Sequence, residues 1–346
     1  MMILKSIYIY VKDVKKVLDA KTVKEYAKRL GADVVGITSM DRYEGAPPQM
    51  DPRFIMPKAK SMIVMAFRVM RGSLRGIEEG TFFSNYSAMG YGGLTYLYIP
   101  MTVINLCKAI EDEGYEAIPI GHQSDWRAID GEGGLRGNYS KPVESGKPAP
   151  DVMIHLRIAA YLAGLGEIGY SKMFLTPEFG PRQRIGVVLT ELELEPDPLY
   201  DGPQLCNKCM ACVNACPGNA LSKTKTVKVE LAGRTVEWGE VDVNACDIAF
   251  RGAEKVEEGQ RGTYMDNRDD LKPNFISPFY HKPRNLYNTG QAVCGSRGCT
   301  RACMISLEAR GVLKNKFKSE FRTKKPWTMD WSDYTPDKPK NELSVD

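Results

Sequence analysis

Apolar and polar positions along the chain fall into short blocks that read in turn as helix, glycine and strand. Residues Ala20 to Leu30 place apolar side chains on one helical face, Gly31 suits the C-terminal cap, and Asp33-Val-Val-Gly-Ile-Thr38 reads as the strand that follows. A second strand fits Ser61-Met-Ile-Val-Met-Ala-Phe67, a helix fits about Thr102 to Glu113 with its cap near Gly114, and Glu116-Ala-Ile-Pro-Ile120 reads as a strand. Further along, Val152 to Ala163 suits a helix ending at Gly164, and Arg184-Ile-Gly-Val-Val-Leu-Thr-Glu-Leu192 suits a buried strand. The repetition predicts a layered α/β domain. Between two of its blocks, residues Gly121 to Pro150 are rich in glycine, proline and charge, so they read as a long loop of the kind that is usually functional in a compact domain.

Composition narrows the class without naming it. At 346 residues, 43% hydrophobic and 26% charged, the chain has enough apolar material for one large core or two smaller ones. A net charge of +4 without a Lys/Arg stripe does not imply nucleic acid. The first residues, Met1-Met2-Ile3-Leu4-Lys5-Ser6-Ile7-Tyr8, show no twin arginine and no small-residue cleavage site, and no uninterrupted apolar run reaches the roughly 18 to 20 residues of a membrane span. The expectation is a cytoplasmic protein with no membrane span.

Cysteine spacing carries the chemistry. Nine cysteines without an export signal point to metal or catalysis rather than a disulfide framework, and eight of them lie between Cys206 and Cys303. Cys107 stands apart among Val103, Ile104 and Ile110 at helical spacing, and reads as a packed core thiol. The run Cys206-Asn-Lys-Cys209-Met-Ala-Cys212-Val-Asn-Ala-Cys216-Pro217 has the C-x2-C-x2-C-x3-C-P spacing of two-cluster bacterial ferredoxins. Its two-residue gaps let three thiolates fold around one cube, and the longer gap turns Cys216 out to a second. A second cysteine group is therefore required, and Cys246 with Cys294-Gly-Ser-Arg-Gly-Cys299-Thr-Arg-Ala-Cys303 supplies it.

Ferredoxin crossing gives cluster one Cys206, Cys209, Cys212 and Cys303, and cluster two Cys216, Cys246, Cys294 and Cys299. This second group departs from the usual pattern, with four residues between Cys294 and Cys299 and Met304 where proline normally follows. A zinc site with spare thiols is the competing reading, but zinc closes with four ligands and rarely shows such a run. The histidines, His122, His155 and His281, have no metal-ligand spacing between them.

Between the last predicted helix and the last strand, Gly164, Gly166, Gly169 and Gly180 crowd one segment, a density that lets backbone approach a ligand closely. The first three follow a helix rather than a strand, which is the wrong context for a dinucleotide loop. Ala163-Gly-Leu-Gly-Glu-Ile-Gly, then Leu-Thr-Pro-Glu-Phe-Gly-Pro-Arg-Gln-Arg184, then Leu-Thr-Glu-Leu-Glu-Leu-Glu-Pro-Asp leading into the cysteine run, resembles the corrinoid-dependent reductive dehalogenases. Tyr26-Ala-Lys-Arg-Leu-Gly-Ala-Asp-Val-Val-Gly-Ile37 is similar to their N-terminal region, and the epoxyqueuosine reductases share the layout.

The resemblance implies a nitroreductase-like α/β corrinoid-binding domain over residues 1–195, a ferredoxin-like module with two 4Fe-4S clusters over 196–325, and a C-terminal tail over 326–346. It implies cobalamin without an axial protein base, held by Gly164, Gly166, Gly169, Tyr170, Ser171, Thr176, Pro177, Glu178 and Gly180. It implies a low-potential electron donor protein such as a ferredoxin or flavodoxin, and reductive loss of a leaving group from a small-molecule substrate. Arg184 matches a position that helps polarise the proton donor, with Arg182 as the fallback. Tyr139 and Tyr98 are the tyrosine candidates for that donor, and Asp151 is the aspartate candidate if the chain follows the epoxyqueuosine enzymes. Three functions compete: a dehalogenase-like enzyme, an epoxyqueuosine reductase acting on tRNA, and a corrinoid-free electron carrier.

Overall fold

The computed structural model describes residues 18–82, 85–121, 142–150, 152–243, 245–246, 254–255, 275–276 and 298–326. Its centre is a four-stranded antiparallel sheet of β1 (Val34–Ser39), β2 (Ser61–Arg68), β3 (Ala117–Ile120) and β6 (Gln183–Thr190), in the order β1-β2-β6-β3. The run Met62 to Phe67 on β2 is apolar at every position because β2 is inside the sheet and covered on both faces. Ile63, Met65 and Phe67 pack with α1 (Ala20–Arg29) and α3 (Ile99–Glu111), through Val23, Ala27, Ile99, Val103, Leu106, Cys107 and Ile110. Met62, Val64 and Ala66 face the other way, onto Ala159, Ala160 and Leu162 of α4 (Leu156–Leu162). The layered α/β expectation holds, with every strand pairing antiparallel.

Cys107 is 4% exposed in the first of these layers, and burial pushes its thiol up to about 12, as suits a core residue. The helix that holds it starts earlier than the pattern suggested, at Ile99, and is preceded by a π-helix, Tyr86–Tyr98. Together Tyr86–Glu111 form a 26-residue stretch with an 18-residue window of mean hydropathy 1.2, the one helix among the described residues long and apolar enough to cross a bilayer. Its C-terminal half is committed to the sheet, as the burial of Ile99, Val103, Leu106 and Ile110 shows. The helix expected from Val152 begins instead at Leu156, where His155 caps it by accepting the Ile158 N–H at Nδ1.

Beyond β6 the chain builds a short helix α5 (Ala211–Asn214), a hairpin of β7 (Leu221–Leu231) and β8 (Arg234–Val241), the short pair β9 (Glu254–Lys255) and β10 (Phe275–Ile276), and α6 (Cys299–Ala309). Ala232 and Gly233, at φ 48° and 75°, form the two-residue turn that suits a tight hairpin. Val236 and Trp238 from β8 pack into the α4 side of the core, so the hairpin lies against the α/β layers. Met304, which replaces the expected proline, is fully buried with Val69, Leu74, Ile77 and Tyr86. A proline inside α6 would remove a helix hydrogen bond at that point. Arg301 of α6 pairs with Glu78 of α2 (Arg75–Glu79) at 3.1 Å, and Arg322 reaches the same carboxylate, so α6 and the segment after it are fastened to α2 by a buried carboxylate.

Candidate functional site

The cysteine run is anchored by the glycine-rich segment before it. Glu167, on β4 (Glu167–Ile168), accepts the backbone N–H of Cys206 at 2.7 Å and that of Leu205 with the same oxygen. Tyr170 donates its N–H to Cys206 Sγ at 3.3 Å and its phenol to the Ser222 carbonyl at 3.1 Å. The Ser171 hydroxyl bonds the Cys212 thiol. Within the run Lys208 and Met210 take left-handed backbone, φ 53° and 59°, where a non-glycine residue costs on the order of 1–3 kcal/mol. Strain at alternate positions is what a loop wrapped around a compact centre requires.

Cys303, on α6, joins this group from almost a hundred residues away in sequence. Its thiol is pushed up first by burial, then by Cys212, Cys206 and Cys209, with Arg310 acting in the opposite sense. Cys212 is likewise pushed up to about 11, by burial and then by Cys206. Cys209 is the exposed member; burial opposes its ionisation, but the Ser306 hydroxyl at 3.4 Å, backbone N–H groups and Arg310 outweigh it and hold it below the usual thiol range. Neighbouring sulfurs oppose ionisation of Cys212 and Cys303, and bound iron would turn that repulsion into attraction. Among the described residues no three His, Cys, Asp or Glu converge closely enough to share a single metal ion; the thiolates of a cubane bind separate irons and stand further apart.

Cys216 follows the longer gap and packs in the same cluster as Cys206 and Cys212. It accepts the Ala220 N–H at 3.3 Å and packs with Cys299 and Leu221 in one cluster. Gly298 lies so close that a Cβ there would stand 3.0 Å from Cys216 Cα. Cys246 follows the same route back: its N–H reaches the Asp242 carbonyl at 2.9 Å, and the Asp242 N–H reaches the Ala220 carbonyl at 2.8 Å. Cys294 lies outside the described residues, as do Tyr139, Asp151, His122 and His281.

The other sequence candidates divide. Gly164 and Gly166 have φ 71° and 156°, and added Cβ atoms would stand 2.0 Å from the Pro198 carbonyl and 1.9 Å from that of Leu175. Gly169 meets Leu175, and Gly180, at φ 58°, meets Leu307 of α6. Thr176 and Gly180 pair across a tight turn, while the Pro177 and Glu178 carbonyls accept from Lys314 and Asn315. The close approaches that these glycines allow are therefore to the chain itself. This segment fits a cradle for the cysteine run and the C-terminal segment.

Arg184 ends on the opposite side of the sheet from that cradle. Its Nη2 donates to Tyr86 Oη at 2.9 Å, and its guanidinium lies 4.2 Å from the Tyr91 ring centroid. In a π-helix, residues five apart share a face, so Tyr86, Tyr91 and Tyr96 form a ladder, with Tyr91 and Tyr96 hydroxyls 3.2 Å apart. Tyr98 is a different matter: it is 46% exposed, edge-on to Phe67 at 6.0 Å, and its hydroxyl covers Gly31. Tyr86, 5% exposed, is the phenol that the structure brings to Arg184 in place of Tyr98. Its signal was available in the i, i+5 spacing of the tyrosines, which falls outside the helical period. The fallback Arg182 is 1% exposed and spends its Nη atoms on the Val69 carbonyl and Asn315 Oδ1, both at 2.8 Å, so it is a structural tie.

Residues 200–222 match the family model described as a 4Fe-4S binding domain. A tetrachloroethene reductive dehalogenase of Desulfitobacterium hafniense is 44% identical over 72 residues, which is 20% of this chain and 13% of that one. An epoxyqueuosine reductase of Gloeobacter violaceus is 38% identical over 168 residues, covering 49% of this chain and 41% of its own length. A solved epoxyqueuosine reductase from Streptococcus thermophilus overlaps 84% of this chain and 80% of its own, with 17% identity and a TM-score of 0.45. The chain spans less than half the length of the two curated relatives. It belongs to the superfamily that joins the reductive dehalogenases to the epoxyqueuosine reductases.

Proposed function

We propose that the protein is a cytoplasmic iron-sulfur reductase that passes electrons through two 4Fe-4S clusters for the reductive removal of a leaving group from a small organic substrate, with a corrinoid as the cofactor that would supply the low-potential metal. The observation that carries this reading is the convergence of Cys303 with Cys206, Cys209 and Cys212, with Cys216 and Cys299 packed beside them, as the crossing of a two-cluster module needs. Cysteines flank α5 on both sides, which supports two neighbouring centres within an α/β support of nitroreductase-like type over residues 1–195 and a cluster module over 196–325.

When bound, the corrinoid supplies a low-valent cobalt able to drive electrons into a carbon–leaving-group bond. This chain's own contribution is proton delivery and charge stabilisation. Tyr86 holds a proton on a phenol whose oxygen accepts from Arg184, and that cation favours the phenolate left behind. Spectroscopy with iron and cobalt quantification on anaerobically reconstituted protein tests the reading: about eight irons and about one cobalt per chain support it. Corrinoid that fails to co-elute leaves the electron carrier. A second reading, reduction of epoxyqueuosine in tRNA, is favoured by the match over 49% of the chain to an epoxyqueuosine reductase, and queuosine analysis of tRNA from a deletion strain tests it.

A further inference from the structure

Cys209 is the exposed cysteine of the run, and the surface around it carries an excess of positive charge. Lys208, beside it, forms an ion pair with Glu237 at 2.6 Å, and Glu237 stands directly across the hairpin from Lys228. The irregular start of β7 adds Lys223 and Lys225, both exposed, next to the Ser222 carbonyl that Tyr170 holds. On the other flank, Arg310 of the α6 terminus lies within electrostatic reach of both Cys209 and Cys303. Glu237 is already engaged by Lys208, so the unspent charge of the rim is cationic.

We propose that this rim, Lys223, Lys225, Lys228 and Arg310 around Cys209, is the docking surface for an acidic one-electron carrier protein. The carrier gives up one electron and the cluster ligated in part by Cys209 takes it, with no bond made or broken. Exposure of Cys209 gives the shortest path inward, and the lysines supply the steering that raises encounter rates and sets orientation. This inference rests on the two-cluster reading above.

The test is titration of the reconstituted full chain with an acidic [2Fe–2S] ferredoxin, following affinity at low and at high ionic strength. Iron is counted first. Lys223→Glu/Lys225→Glu, away from the thiolates, should weaken binding about tenfold at low salt and flatten its salt dependence, while Lys21→Glu on α1 should leave both as in the wild type. Iron-loaded charge-reversed protein that binds the ferredoxin with unchanged affinity and salt dependence overturns the docking surface alone. A chain that takes up no iron overturns the iron-sulfur reading and this surface with it.

Discussion

At the scale of single residues, the site depends on a few side chains that do not resemble ligands. Glu167 is the clearest, since one carboxylate oxygen holds the N–H groups of Leu205 and Cys206. Glu167→Ala leaves two backbone donors unpaired and should cost about 2 kcal/mol in denaturant unfolding. In reconstituted protein it should also shift the midpoint potential of cluster one, which unfolding alone would not report. Tyr86 and Tyr98 make a paired prediction. Tyr86→Phe should lower reductive turnover by about a hundredfold or more, the range for a lost general acid, while Tyr98→Phe stays near wild type. Equal losses in the two variants would remove Tyr86 from proton delivery.

The elements show what the sequence could and could not convey. The strands β1, β2, β3 and β6 and the helix α1 were legible because burial on one or both faces writes a period into the chain, as in Met62 to Phe67. The π-helix was not, because its residues repeat at five rather than 3.6 and Gly90, Gly92 and Gly93 dilute the pattern. The β7–β8 hairpin escaped for another reason: Lys223 to Lys228 are exposed throughout, so no buried face marks the strand. In the site, the cysteines were legible from spacing alone, whereas the Tyr86–Arg184 pair depends on a helix and a strand 98 residues apart. The glycines were legible as close approaches, but the approaching atoms, the Pro198 and Leu175 carbonyls, are set by tertiary packing. Gly166→Ala should therefore fail to fold or lose more than about 3 kcal/mol, read by thermal unfolding, because no flexible side chain stands in the way to yield.

Helix α4 adds a dependence on pH. Burial, and then the charges of Lys172 and Arg157, press the His155 pKa down to about 3, against an unfolded value near 6.5. Between these values the unfolded chain binds a proton that the folded chain refuses. Stability from this group is complete above about 6.5 and declines as the pH falls toward 3, by up to ~1.4 kcal/mol per unit. His155→Gln should flatten that slope in unfolding curves taken across the window; a slope unchanged by the substitution would place the proton uptake elsewhere.

At the scale of the whole molecule, one α/β sheet supports a separate group of side chains on each face. On the α4 side, β4, the glycine-rich segment and the β7–β8 hairpin cradle the cysteine run; on the other, the π-helix brings its tyrosines to Arg184. The C-terminal helix ties the halves together, giving Cys303 to the cysteines of the run while Met304 and Arg301 enter the core beside Leu74 and Glu78. The thiols that meet at Cys303 repel as thiolates, so iron uptake and the ordering of this segment are expected to be coupled.

The most direct measurement is iron content and low-temperature EPR of anaerobically reconstituted Cys303→Ala beside the wild type. About eight irons and two interacting reduced centres are expected in the wild type, and about four irons with one isolated centre in the variant. About four irons in the wild type, or a variant that keeps both centres, would contradict the two-cluster reading.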